Sequence, residues 1–335
     1  MRKTTPFIYK YTLMILEHTS MIREHASKLC NAPFKIHIYI LASLFWCAAT
    51  IVAQAQTNVT IGQKPKVEAQ KPDAAPHGST LYTQAEQTRY QTSVTLAYKA
   101  LLRDSLAQAA DYFRQAIDLL PNHPANAEAY YQLGQIALAQ GDEMLAAEQF
   151  SRSLRIAPTL YKSRKRLADA YLLRADFSAA VKNYNAYIPH APKDTAAIFL
   201  RGYALQQLGS DSLALRDYQS VLTLNPLHAD ALMGKAVILH RQGHGQQAMA
   251  DISSLITRFP NNAAYYAVRA RMEQTDNRLD AALIDISQAI TMEAGNSFYL
   301  EQRADIYQQQ GKTALAKADR QQARRLAEQR LTTSE

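Results

Sequence analysis

Residues 127–160 read AEAYYQLGQIALAQGDEMLAAEQFSRSLRIAPTL, and the positions of their apolar residues decide the fold. Tyr130, Leu133, Gly134, Ala137 and Leu138 recur at i, i+3, i+4, i+7 and i+8, the spacing of one helix face. After Gly141 the same face resumes with Leu145, Ala146, Phe150, Ser153 and Leu154. Gly141 suits the left-handed backbone that closes a helix without Cβ strain, and Pro158 stops the second helix. The segment is a pair of helices folded back on each other, too small to bury its apolar stripe alone.

The same markers return along the chain. Gly141, Ala175, Gly209, Gly243, Asn277 and Gly311 stand thirty-four residues apart. Pro158, Pro192, Pro226 and Pro260 follow the first four of them, each at seventeen residues. A strict period of this length means one supersecondary unit stacked many times, each copy burying its neighbour's apolar face. The fold class predicted is all-α, an α-solenoid of about seven helix-turn-helix repeats.

Charge repeats in phase with the turns. Arg201 and Asp217, Lys235 and Asp251, Arg269 and Asp285, and Arg303 and Asp319 are each sixteen apart, with a turn residue at each midpoint. In an antiparallel pair, residues equidistant from the turn lie at one height, so each couple is expected to meet across its two helices. Read as exposed ion pairs that set register, each is expected to contribute under about 1 kcal/mol.

These residues resemble the tetratricopeptide repeat. Tyr130, Leu133, Gly134, Gly141, Ala146, Phe150 and Pro158 carry the pattern in one unit, and Gly202, Gly209, Ala214, Tyr218 and Pro226 in another. Seven units are expected within a repeat region over 81–335: 90–123, 127–160, 161–194, 195–228, 229–262, 263–296 and 297–330. The first departs at Asp104, its turn position, and is followed by three extra residues, Pro124, Ala125 and Asn126. The sixth has Ala294–Gly295 in place of the proline, and the seventh has Arg320 in place of the aromatic and Glu328 in place of the proline. That last unit reads as a polar cap, which a stack needs to keep its final apolar face from water.

The resemblance implies a ligand groove on the concave face, lined by chosen positions of each first helix. Carried onto this chain they are Glu128, Tyr131, Gln132 and Gln135, then Lys162, Lys165, Arg166 and Asp169. Later units add Phe199, Tyr203, Met233, Val237, His240, Arg241, Arg271 and Gln274. The binding residues expected are Tyr131, Lys162, Lys165, Arg166, Phe199, Tyr203, Arg241 and Arg271: aromatics for apolar contact, cations for carboxylates. The partner implied is a protein or peptide with an acidic or carboxy-terminal segment. Lys162 and Arg166 match two basic residues of the family's chaperone-tail clamp. Val94, Tyr98 and Gln132 stand where the clamp has a lysine and two asparagines, so the clamp itself is not reproduced.

Catalytic and metal motifs are weak. Gly311-Lys312-Thr313 lacks the earlier glycine of a phosphate loop, since Ile306 stands there. His240 and His244 have metal-pair spacing, but Gly243 ends the helix between them. Asp104-Ser105-Leu106, Asp194-Thr195-Ala196 and Asp211-Ser212-Leu213 resemble a bacterial O-glycosylation sequon, although helix capping accounts for them more simply. No enzyme, no cofactor, no nucleic acid and no small-molecule substrate are expected. The function expected is a protein- or peptide-binding scaffold, or alternatively a structural or regulatory subunit using its convex face.

The compartment is read from the amino terminus. Ile38–Ala53 is an uncharged run of sixteen residues after Arg23, Lys28 and Lys35, and it runs into Ala53-Gln54-Ala55. That order resembles a secretory signal cut after Ala55, with a start at Met14 or Met21 accounting for the long leader. The run is short of the roughly 20 residues of a membrane span, so a retained signal anchor is the alternative. Trp46 before Cys47 argues against a lipoprotein site. Both cysteines, Cys30 and Cys47, then leave with residues 1–55, and disulfide and thiolate chemistry leave with them. Residues 56–335 carry 31 Lys and Arg against 27 Asp and Glu, so the net charge of +8 falls to +4, too mild for a nucleic-acid binder. Residues 56–80, with Pro65, Pro72 and Pro76, read as a flexible linker. The cell envelope, at the periplasm or outer membrane, is therefore the expected location, with membrane association through a partner or an uncleaved signal. Amino-terminal sequencing of protein recovered from the envelope is expected to begin at or near Gln56. Recovery of the full-length chain from the cytoplasm would contradict export.

Overall fold

Among the described residues seven hold the backbone in the left-handed region: Asp104, Gly141, Ala175, Gly209, Gly243, Asn277 and Gly311, with φ between 57° and 86°. They are the turn positions of the period, and the chain reverses at each. The computed structural model describes residues 82–332. The expected signal segment (1–55) and the whole of the expected linker (56–80) lie outside the described residues. Among the described residues there are fourteen α-helices and no strand, and no helix is long and apolar enough to cross a membrane.

The helices are α1 (Gln84–Leu102), α2 (Leu106–Leu119), α3 (Asn126–Ala139), α4 (Glu143–Ile156) and α5 (Tyr161–Leu173). They continue as α6 (Phe177–Tyr187), α7 (Thr195–Gln207), α8 (Asp211–Leu224), α9 (Ala229–Arg241) and α10 (Gly245–Arg258). The last four are α11 (Ala263–Thr275), α12 (Leu279–Met292), α13 (Ser297–Gln309) and α14 (Thr313–Thr332). Each odd-numbered helix is the first of a pair. The chain divides into two compact units whose described parts are residues 82–166 and 167–332, with the division inside α5.

In the unit 82–166, α1 packs on α2, α2 on α3, and α3 on α4. Ala97, Phe113, Leu133 and Ile136 share one apolar cluster across the first three of these. Gly134 sets the approach of α3 to α4, because a Cβ there would stand 2.6 Å from the Phe150 ring. Asn126, the last of the three extra residues, is buried and donates to the carbonyls of Leu120 (2.7 Å) and Pro121 (3.2 Å), tying the longer link down.

In the unit 167–332 the pairs α7–α8, α9–α10, α11–α12 and α13–α14 pack in the same way, and the first helices of successive pairs also touch. Tyr218 shows why small residues recur: its ring lies where a Cβ at Gly202 would stand at 3.0 Å and one at Gly234 at 2.6 Å. Its hydroxyl donates to Gln206 Oε1 at 2.6 Å. The pair α5–α6 deviates. Pro192 was expected to stop its second helix, but α6 ends at Tyr187 and continues as a 3₁₀ turn, Ile188–His190. Pro189 lies within that turn and cannot donate to an α-helical carbonyl.

All four expected couples form. Arg201 and Asp217 meet at 2.6 Å, Lys235 and Asp251 at 3.0 Å, Arg269 and Asp285 at 2.6 Å, and Arg303 and Asp319 at 2.8 Å. The expectation that they are exposed is corrected, since Asp217, Asp285 and Asp319 are buried. Each of these three carboxylates accepts two nitrogens of its arginine. Arg201 also donates to Asn185 Oδ1 (2.9 Å) and Arg269 to Ser253 Oγ (3.3 Å), so the cation bridges its own pair and the preceding second helix. Removing one partner of a buried pair leaves an uncompensated charge and typically costs about 3–5 kcal/mol, less where the survivor reaches water.

The expected cost under about 1 kcal/mol is therefore revised upward. Arg201 keeps a fifth of its side chain exposed, so Asp217→Asn is expected to destabilise by about 2–3 kcal/mol. Arg201→Met with Asp217→Leu is expected to recover most of that loss. Urea unfolding of both variants checks it, and an Asp217→Asn midpoint equal to the parent's would contradict it.

Candidate functional site

The first helices place positions that repeat in register side by side, and in the unit 82–166 this joins several expected groove residues. Lys162 at the start of α5 lies 2.6 Å from Glu128 Oε2 at the start of α3, thirty-four residues earlier. Its ammonium also sits 4.4 Å from the centre of the Tyr131 ring. Gln132 Nε2 donates to Glu128 Oε1 at 3.0 Å, and Arg166 Nε donates to Gln135 Oε1 at 2.5 Å. Glu128, Gln132, Gln135, Lys162, Lys165 and Arg166 are all half-buried, so this wall between α3 and α5 is polar and partly open to water. Tyr131 is buried beneath it and offers Lys162 the face of its ring.

The unit 167–332 departs from expectation. Phe199 and Tyr203 were expected as groove aromatics, yet both are buried, Tyr203 completely. Phe199 stacks at 5.8 Å from Tyr218 and 5.1 Å from His228, while Tyr203 meets Phe177 edge-on at 6.0 Å. Met233 is likewise buried. These side chains belong to the apolar clusters inside the unit 167–332. Burial pushes the Tyr203 hydroxyl well above the ordinary tyrosine range, as expected for a phenol sealed in a core.

Of the polar groove positions in this unit Gln274 is buried, while His240, Arg241 and Arg271 remain partly accessible. Arg241 is exposed and donates to Asp211 Oδ1 at 2.6 Å, across to the previous second helix. Arg271 is half-buried. His240 Nε2 and Asp276 Oδ1 lie 2.9 Å apart, and Asp276 Oδ2 also accepts from Arg278 at 3.0 Å.

Asp230 was not picked out from the sequence, although it stands one thirty-four-residue step from a position equivalent to Glu128 and Lys162. It is buried, its Oδ1 has no hydrogen-bond partner, and burial pushes its carboxyl up to about 6. Beside it His228 caps α9, its Nδ1 accepting from the Ala231 amide at 3.3 Å, and burial lowers its basicity. Of the three sequon-like triplets only Asp194 caps a helix with its side chain, accepting from Ala197. Asp104 takes the left-handed turn, and Asp211 opens α8 and pairs with Arg241. Among the described residues no group of three or more His, Cys, Asp or Glu is placed to hold a metal ion.

A family model described as tetratricopeptide repeat matches residues 94–160 and 199–263. Among solved structures, a tetratricopeptide repeat protein from Parabacteroides merdae ATCC 43184 superposes with a TM-score of 0.63 at 21% identity, over 71% of this chain and 93% of that one. Cut9–Hcn1 of the APC/C hetero-tetramer gives 0.51 at 16% identity, over 72% of this chain and 51% of that one. PilF of Pseudomonas aeruginosa gives 0.50 at 16% identity, over 66% of this chain and all of that one, at 100%. At such identities the likeness speaks for the fold alone. Among curated proteins none matches the chain. From the matched stretches, the helix pairs and their left-handed turns, and the likeness in fold, the chain belongs to the tetratricopeptide repeat family.

Proposed function

We propose that this protein is a non-catalytic scaffold of the bacterial cell envelope that binds a protein or peptide segment along the face lined by its first helices. Repeats of this family are scaffolds for protein–protein interaction, and the coarse function rests on that membership. The observation that carries the finer reading is the wall between α3 and α5. Packing alone would fill such positions with apolar residues, yet here Glu128, Gln132, Gln135, Lys162, Lys165 and Arg166 stand half-buried at the rim of a packed core. Lysine and arginine held in place by neighbours present donors with little freedom left to lose, which favours a carboxylate-bearing ligand. Arg241 and Arg271 extend the same chemistry in the unit 167–332. The buried aromatics Tyr131, Phe199 and Tyr203 take no direct part in contact. The envelope location rests on the basic and apolar order of residues 23–55 and the Ala-Gln-Ala that ends it.

The test is Lys162→Ala with Arg166→Ala in protein shown by circular dichroism to keep its helix content. Binding to a partner captured from envelope extracts is expected to weaken about tenfold or more. The association rate is also expected to lose much of its salt dependence, since charge steers encounter. Parent-like affinity and parent-like salt dependence would overturn the groove assignment.

A further inference from the structure

The arginine ladder does not run the whole chain, and where it stops within the unit 82–166 it leaves a site. In the last four pairs an Arg or Lys, eight residues before the turn, reaches the Asp eight residues after it. Arg201 and Arg269 also reach the preceding second helix, at Asn185 and Ser253, ten residues after that helix's own turn. The same three positions around α3 are Leu133, Gln149 and Arg114. The bridging cation is replaced by leucine and its carboxylate by a neutral amide, and a positive charge now stands on the preceding helix. All three line a cavity of about 230 Å³ bounded by α2, α3 and α4.

The chemistry of that slot is inverted. Ile117, Leu133 and Ile136 give it an apolar lining, and Arg114 from α2 and Arg152 from α4 line it as well. Asp118 also lines it, leaving one net positive charge. The carboxylate partners of both arginines are replaceable, and Arg152 also lies 5.8 Å from the centre of the Tyr130 ring, which lines the same cavity. Arg114 pairs with Asp111 at 2.8 Å and Arg152 with Glu148 at 2.6 Å, with both carboxylates more than half exposed. Exposed pairs of this kind contribute little, so an anion arriving with an apolar group displaces them at small cost. Ligand sites for whole small molecules run to roughly 300–1,000 Å³, so this cavity suits a single side chain.

We propose that the slot between α2 and α4 binds the carboxy-terminal residue of another polypeptide, its apolar side chain against Ile117, Leu133 and Ile136 and its carboxylate between Arg114 and Arg152. A terminal residue carries both groups on one α-carbon, which is what a one-residue cavity lined by cations requires. The site is distinct from the wall between α3 and α5.

The probe is N-acetylleucine, titrated into full-length protein carrying labelled Leu and Ile methyl groups and followed by NMR. Shifts are expected at the Leu133 and Ile136 methyls, with N-acetylleucinamide about tenfold or more weaker because it lacks the charge. Leu133→Arg with Gln149→Asp rebuilds a pair that this chain already forms four times, and it is expected to keep the melting temperature and abolish the shift at the Ile136 methyl, the reporter that this variant retains. Arg114→Gln with Arg152→Gln is expected to fold normally and bind acid and amide alike. Lys162→Ala with Arg166→Ala is expected to leave these shifts unchanged, so failure of the groove and failure of this slot are separable. Absent shifts, equal binding of acid and amide by the parent protein, or undiminished shifts in the rebuilt variant would overturn the proposal.

Discussion

Everything in this fold depends on a backbone constraint that recurs at seven turns. A residue in the left-handed region ends each first helix and returns the chain antiparallel, so that residues equidistant from the turn share a height. Glycine fills four of these places without strain, while Asp104, Ala175 and Asn277 accept a Cβ there. Once heights are shared, the rest follows from size. A pair of helices buries too little surface to stand alone, so its stripe must meet the next pair; Gly134 and Gly202 set how closely helices approach within a pair, and Gly234 how closely α9 approaches the pair before it.

Charge is distributed over this frame in two regimes. In the last four pairs an Asp, buried in three of them, holds an Arg or Lys across the turn, so the register is written in charge as well as in packing. Buried ion pairs are weak evidence for net stability, because desolvation offsets much of the attraction. Their stronger effect is to penalise misalignment, since any slip leaves a buried charge unpaired. Around α3 the couple is replaced by Leu133 and Gln149, and the lost charge leaves a cavity lined by arginines. The same three positions thus serve as a register lock in one place and as a candidate receptor in another.

The architecture was legible in the sequence because its two signals are discrete. Left-handed turns admit few residue types comfortably, so their spacing could be read directly, and mirror symmetry about each turn exposed Arg201–Asp217 and its counterparts. Depth was not legible. The period places Phe199 and Tyr203 on a chosen face of their helix but says nothing of how close the neighbouring helices come, and in the fold Tyr218, His228 and Phe177 pack against them. The same ignorance of depth made the ladder look exposed. Lys162 and Glu128 share a position one full period apart with opposite charge, a signal that was present but needed the two helices side by side to acquire meaning. Pro189, which shortens α6, lies off the regular proline series and could be seen only as an exception.

The polar face of the first helices is the surface proposed to meet a partner. Site-specific photo-crosslinking in intact cells tests it, with a photoreactive amino acid at Lys162 and, separately, at Ile284, which is exposed on a second helix. The account predicts a discrete partner adduct from position 162 and none from position 284. Adducts from position 284 with none from position 162 would contradict it.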